Sequence, residues 1–414
     1  MKPQDTYRGP ALFSYGFRPF FLAALLFGLL VIPAWWSVWT GRSELASVLA
    51  PVDWHVHEMV FGYGAAVVAG FLFTAVPNWT GRLPTRGWPL VALLSVWIAG
   101  RLAVVGFAAL DALPVLLIDQ LFLLCVAAMI TREIVAGRNW RNLKVLVPVA
   151  LLWLANVGFH VEAMTWGGAD TGRRFGIALL IFLIMLIGGR IVPSFTRNWL
   201  AQRGVQRLPA PFGRFDALCI LAGVLALLFW ALVPFHWLTA AVSVLAAALH
   251  LARLARWRGL PTWRNPLLLM LHLAYAMIPA GFVAAALTSL GLGGPSGPAH
   301  VFGIGAIAGM TAAVIMRATM GHTGRPLVAG RALASAFGLL VLASVARVAG
   351  AALTIGPLDG IDLSAGLWTL AFAILAWRLG PWLAGEKVDR KRATPTPPGR
   401  SLKAAKADGG RRGA

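Results

Sequence analysis

Apolar runs of roughly twenty residues alternate with short polar gaps along the whole chain, at about 20–39, 58–77, 88–108, 113–133, 143–164, 175–193, 213–233, 235–254, 266–290, 299–320, 332–354 and 362–382. A helix needs about 20 such residues to cross the hydrocarbon layer, and only helices or closed barrels satisfy their backbone there. The pattern therefore predicts an all-α polytopic membrane protein of twelve transmembrane helices. The least marked gap is Val233-Pro234-Phe235. No small-x-small cleavage site follows the first run, so it reads as a span and not as a signal peptide. Residues 1–383 are expected to form one transmembrane bundle, and 384–414, basic and rich in Pro and Gly, a disordered cytoplasmic tail.

Composition and charge set the orientation. Only 12% of residues are charged, against about 25% in soluble domains. A formal charge of +21 would suggest nucleic acid in a soluble chain. Here Lys and Arg lie in alternate gaps, which is the positive-inside pattern, so nucleic acid is rejected and the lipid bilayer is the partner. With the N-terminus in the cytoplasm, only Arg42, Arg101, Arg173, Arg174 and Arg347 of the 36 basic residues fall on the outer side. An even number of spans then puts both termini in the cytoplasm of a bacterial inner membrane. Cys125 and Cys219 form no CxxC pattern and read as packing residues.

An internal repeat is visible. Val60-Phe61-Gly62-Tyr63-Gly64-Ala65 recurs as Val301-Phe302-Gly303-Ile304-Gly305-Ala306, with a fainter Phe175-Gly176-Ile177-Ala178 between them. The copies open spans two, six and ten, a period of four helices. This predicts a pseudo-threefold 4+4+4 bundle with units 20–133, 143–254 and 266–382, in which spans two, six and ten line the core and spans two and ten are neighbours.

Candidate chemistry centres on Trp54-His55-Val56-His57-Glu58-Met59, where two imidazoles and a carboxylate meet the second span. The spacing can bring both rings to one metal or send one elsewhere, with Glu58 orienting either; two interfacial histidines on a loop are the alternative. His160, His236 and His300 fall at the same outer depth, whereas His250, His272 and His322 belong to the inner half. Ionisable groups inside a bundle are costly, so several at one depth point toward metal or haem. His57 with His300 or His160 is expected to form an outer-half site, with His55 and Glu58 beside it. Arg101 and Asp119 match in depth and are expected to pair. Arg347 has no acid in its hairpin and is read either as a haem-propionate partner or as snorkelling outward.

Four ordered segments carry a resemblance: Leu12-Phe13-Ser14-Tyr15-Gly16-Phe17-Arg18-Pro19-Phe20-Phe21, the Trp54–Met59 motif, Val76-Pro77-Asn78-Trp79-Thr80-Gly81-Arg82, and Gly321-His322-Thr323-Gly324-Arg325-Pro326. Over about 11–382 the chain resembles the NnrS family. That resemblance implies haem and copper as cofactors and a role in nitric oxide and nitrosative stress. It carries over His55, His57 and His322, and implies His160, His272 and His300 as family histidines. By analogy of fold alone, three arcs of four helices also resemble the catalytic subunit of haem-copper oxidases.

The resulting expectation is a haem- and copper-binding membrane protein acting in the nitric oxide response by redox chemistry at a haem iron, an oxidoreductase acting on nitric oxide or nitrosylated iron. No CxxCH motif offers an electron entry, so quinol or a redox protein would be the donor. The rival reading is a transporter or metal-export protein with a histidine-lined path. Against it, the repeat is parallel and Asp119 is the main acid well inside a span.

Overall fold

The computed structural model describes residues 7–388. Among them eleven helices are long and apolar enough to cross a membrane, and the shorter apolar helix Trp88–Val104 completes twelve. In chain order they are α1 (Phe17–Trp39), α2 (Pro51–Thr80), α3 (Trp88–Val104), α4 (Ala112–Ala136), α5 (Trp140–Trp166), α6 (Asp170–Ala201), α7 (Arg214–Leu232), α8 (Trp237–Arg256), α9 (Pro266–Ser289), α10 (Gly297–His322), α11 (Gly330–Ala349) and α12 (Gly360–Ala384). The only strands among the described residues are the two-residue pair Thr354–Ile355 and Leu358–Asp359. The chain is an all-α polytopic membrane protein. The tail expected from 384 onward lies, from residue 389, outside the described residues.

Helix ends depart from the hydropathy runs for local reasons. α2 begins at Pro51, seven residues before the apolar run, with proline in a first turn that needs no N–H donor, so His55 and His57 stand on the helix and not on a loop. α6 outruns 175–193 at both ends because Asp170–Arg174 and Thr196–Asn198 are helical without being apolar. α3 and α11 stop short of 108 and 354, each followed by a glycine of positive φ, Gly106 and Gly350.

α2, α6 and α10 lie inside the bundle. Their most apolar windows are 72%, 61% and 67% buried, whereas those of α1, α4, α5, α7, α8, α11 and α12 are 28–44% buried; α9 is also inward, at 61%. α1 packs on α12, α4 on α5, and α8 on α9. Phe61 and Phe302 are both buried, and the Tyr63 hydroxyl donates to Thr311 Oγ1 at 2.7 Å, joining α2 to α10. α2, α6 and α10 each contain a widened π-helical stretch, Glu58–Gly64, Ile184–Gly188 and Val301–Ala308, and the first and third overlap the repeated VFGxGA segments. Such stretches recur at functional sites.

Twelve helices bring the two ends of the described residues to one face of the bundle, here the terminal end. Arg18 joins them there: its Nη1 donates to Leu383 O at 3.1 Å and Gly385 O at 2.5 Å. The starts of α2 and α10 lie at the opposite, far end.

Candidate functional site

Residues two apart on a helix are turned about 200° from each other, so His55 and His57 cannot face the same space. The structure separates them accordingly. His57 enters a buried polar network between α2, α3, α4 and α5, and His55 faces a cavity on the other side of α2.

In the network, His57 Nδ1 donates to Glu58 Oε1 at 3.1 Å, while its Nε2 faces Asn156 Oδ1 at 2.9 Å and Asp119 Oδ2 at 3.2 Å. Asn156 Nδ2 donates to Asp119 Oδ2 at 2.7 Å, and His160 Nε2 lies 3.3 Å from the same oxygen. The Arg101 guanidinium donates one arm to Glu58 and the other to Asp119 Oδ1. Every member is buried, so each charge depends on its neighbours to offset lost hydration. Gly62 is what allows Arg101 so close: a Cβ there would stand 2.9 Å from Arg101 Nη1 and 2.8 Å from Phe27. The Gly62 carbonyl, inside the π-helical stretch, accepts from Trp97 Nε1 at 3.1 Å. His57, Asp119 and His160 each offer one ligand atom within 4.8 Å of the others, a group that could hold a metal ion.

The cavity at the far end has a volume of about 520 Å³, inside the roughly 300–1,000 Å³ of small-molecule and cofactor sites. Its walls are largely aromatic and aliphatic, among them Trp35, Tyr63, Trp230, Ile304 and Trp368, and His55, His300, Arg173, Arg174 and Arg347 also line it. Trp35 stacks on His55 with centroids 4.8 Å apart, fixing the ring, and His55 Nδ1 is buried without a hydrogen-bond partner. His300 Nδ1 donates to Ser296 O at 2.7 Å, which leaves its Nε2 as the lone-pair nitrogen. Arg173 pairs with Asp53 at 2.9 Å and also with Asp170, and Arg174 donates to Ala231 O at 2.9 Å. Arg347 makes no hydrogen bond or ion pair among the described residues.

Equal depth thus groups the expected residues only in part. His57 meets His160 and Glu58, whereas His300 shares the cavity with His55. Arg101 sits in the network and not at the cavity, and Arg347 lines the cavity. His272 accepts or donates at Thr196 Oγ1, 2.8 Å away, and His322 packs between the rings of Tyr15 and Phe17, so neither reaches the far-end groups. His236 caps α8 by accepting from Leu238 N at 3.2 Å.

Sequence reasoning missed two features. Asn156, which ties His57 to Asp119, stands one turn before His160, and a single amide in an apolar run is the only signal it gives. A second buried set also lay unread: Arg253 Nε donates to Asp216 at 2.9 Å and Arg253 Nη1 to Tyr275 at 2.8 Å, and the Tyr275 hydroxyl lies 2.9 Å from His250 Nδ1.

No curated protein matches this chain. The model of the NnrS protein family matches residues 11–387, across all twelve helices and both far-end sites, and the chain belongs to the NnrS family.

Proposed function

We propose that this protein binds haem in the far-end cavity and copper at the His57–Asp119–His160 group, and acts in the nitric oxide response by redox chemistry at the haem iron. The family supports a role related to nitric oxide and suggests metal or haem binding. The observation that carries the haem assignment is the pair of cavity imidazoles. A metal-bound histidine almost always donates its second nitrogen to a carbonyl or carboxylate, as His300 does to Ser296, and His55 has a buried nitrogen without a partner. Arg347, without a hydrogen bond or contact ion pair among the described residues, together with Arg174, whose hydrogen bond is to a carbonyl, suits the two carboxylates of a porphyrin; Arg173 is already held by Asp53 and Asp170. Haem iron would supply the one-electron chemistry. The chain's own part is to orient two imidazoles, exclude water with aromatic walls and compensate the propionates.

For copper, two imidazoles and a carboxylate form a suitable donor set, provided that the ion displaces the His57 Nε2 proton now facing Asn156 Oδ1 and Asp119 Oδ2. Arg101 already neutralises part of Asp119, so a cation there would share the carboxylate with the guanidinium.

In this reading the twelve helices form three four-helix units, 20–133, 143–254 and 266–382, with both termini in the cytoplasm of the bacterial inner membrane and electrons supplied by quinol or a redox protein. The test is an absorption spectrum with metal analysis of the purified protein. A haem spectrum lost in His55→Ala and His300→Ala is the expected result, and a colourless, metal-free but folded protein would overturn the proposal.

A further inference from the structure

The first and last motifs of the chain meet at the terminal end, away from both far-end sites. The strap after α12, residues 385–388, is held at its start by Arg18 on Gly385 O and at its finish by Val388 N donating to Thr323 O at 3.0 Å. This lays Lys387 against Gly324 and beside His322. Two guanidinium groups share one indole: Arg325 Cζ lies 5.0 Å and Arg378 Cζ 5.3 Å from the ring centroid of Trp382. Arg325 is also close enough to Arg18 for the two charges to repel, and burial holds its guanidinium below the ordinary value. No carboxylate is bonded to Arg325, Arg378 or Lys387 among the described residues; the one acid on the strap, Glu386, is exposed and unpaired there. Like charges gathered around an interfacial tryptophan, with no carboxylate bonded to them among the described residues, are complementary to an anion at headgroup depth.

We propose that Arg325 and Arg378 over Trp382, with Lys387 on the strap beside Gly324, form a binding site for the phosphate group of an anionic phospholipid. The lipid's acyl chains would lie along the apolar outer surfaces of α1 and α12. The two motifs then serve to hold the strap that completes the site.

The test uses the full chain, purified in detergent and stripped of lipid, with phosphatidylglycerol titrated in and binding read by native mass spectrometry. Wild type should retain one lipid above the non-specific background. Arg325→Gln with Lys387→Gln should weaken that binding by roughly 25-fold, taking roughly fivefold for each charge near the surface. Arg141→Gln with Lys144→Gln removes the same charge from another loop at this end and should leave it unchanged. Equal losses in both double variants would show diffuse attraction only and overturn the site. Protection by inorganic phosphate at millimolar concentration in place of lipid would overturn the lipid assignment. Should the first double variant fail to elute as a folded species, Arg378→Gln, whose side chain makes no hydrogen bond among the described residues, is read in the same titration, and unaltered binding would refute the proposal.

Discussion

Arg101 and Asp119 face each other across the α3–α4 hairpin, the guanidinium donating to Asp119 Oδ1 with one arm and to Glu58 on α2 with the other. One cation thus holds three helices through two carboxylates that are almost wholly buried. Removing it would leave both buried acids with only His57, Asn156 and His160 to compensate them. Arg101→Ala is expected to cost about 3–5 kcal/mol, the range for breaking a buried pair. Thermal unfolding in detergent checks this, and combining it with Glu58→Gln and Asp119→Asn should recover part of the loss, because neutral amides need no counter-charge.

A glycine makes that approach feasible. Gly62→Ala would place a methyl 2.8 Å from Phe27 and 2.9 Å from Arg101, so one of them must move. Overpacking of this kind costs about 1–3 kcal/mol. The midpoint of heat denaturation should fall in Gly62→Ala and stay near wild type in Gly303→Ala, where the added Cβ meets nothing within 4 Å.

Histidine substitutions should sort into two classes. His55→Ala and His300→Ala open the cavity and are expected to lower iron content and change the visible spectrum. His57→Ala and His160→Ala act on the network and should lower copper content with the haem spectrum kept. Metal analysis of the four variants, side by side, decides the matter; iron loss in His57→Ala equal to that in His55→Ala would show that the two sites are not separate.

Arg347 offers a cleaner test of the cavity's ligand. It makes no hydrogen bond or contact ion pair among the described residues, and Asp359 acts on it only at longer range, so Arg347→Gln relieves a half-buried charge and should leave the unloaded protein about as stable as wild type. Loaded protein should lose stabilisation instead, since a ligand carboxylate would lose its counter-charge. The comparison is the shift in unfolding temperature between haem-loaded and haem-free samples of each variant.

The spans were legible because a helix facing lipid has to be apolar along its length, and this holds even where no tertiary contact is known. The Arg101–Asp119 pair was legible for a related reason: in an antiparallel hairpin, equal distance from the shared loop implies equal depth. Depth does not give direction around the helix axis, which is why His300, expected near His57, lies instead with His55. Geometry alone could have separated His55 from His57. The cavity was out of reach, since its walls come from α1, α2, α6, α7, α9, α10, α11 and α12 and no stretch of sequence records their assembly. Asn156 was hidden because one amide carries no periodic signal.

The bond from Arg18 to the last carbonyls of α12 has a meaning for biosynthesis. Arg18 is among the first groups to enter the membrane, and the acceptors it needs, Leu383 O and Gly385 O, are made some 365 residues later. Until then water or lipid phosphate has to satisfy the cation, and a chain ending before Leu383 would lack these acceptors at the seam between its first and last helices. Truncated chains are therefore expected to differ from the full chain first at this contact between α1 and α12.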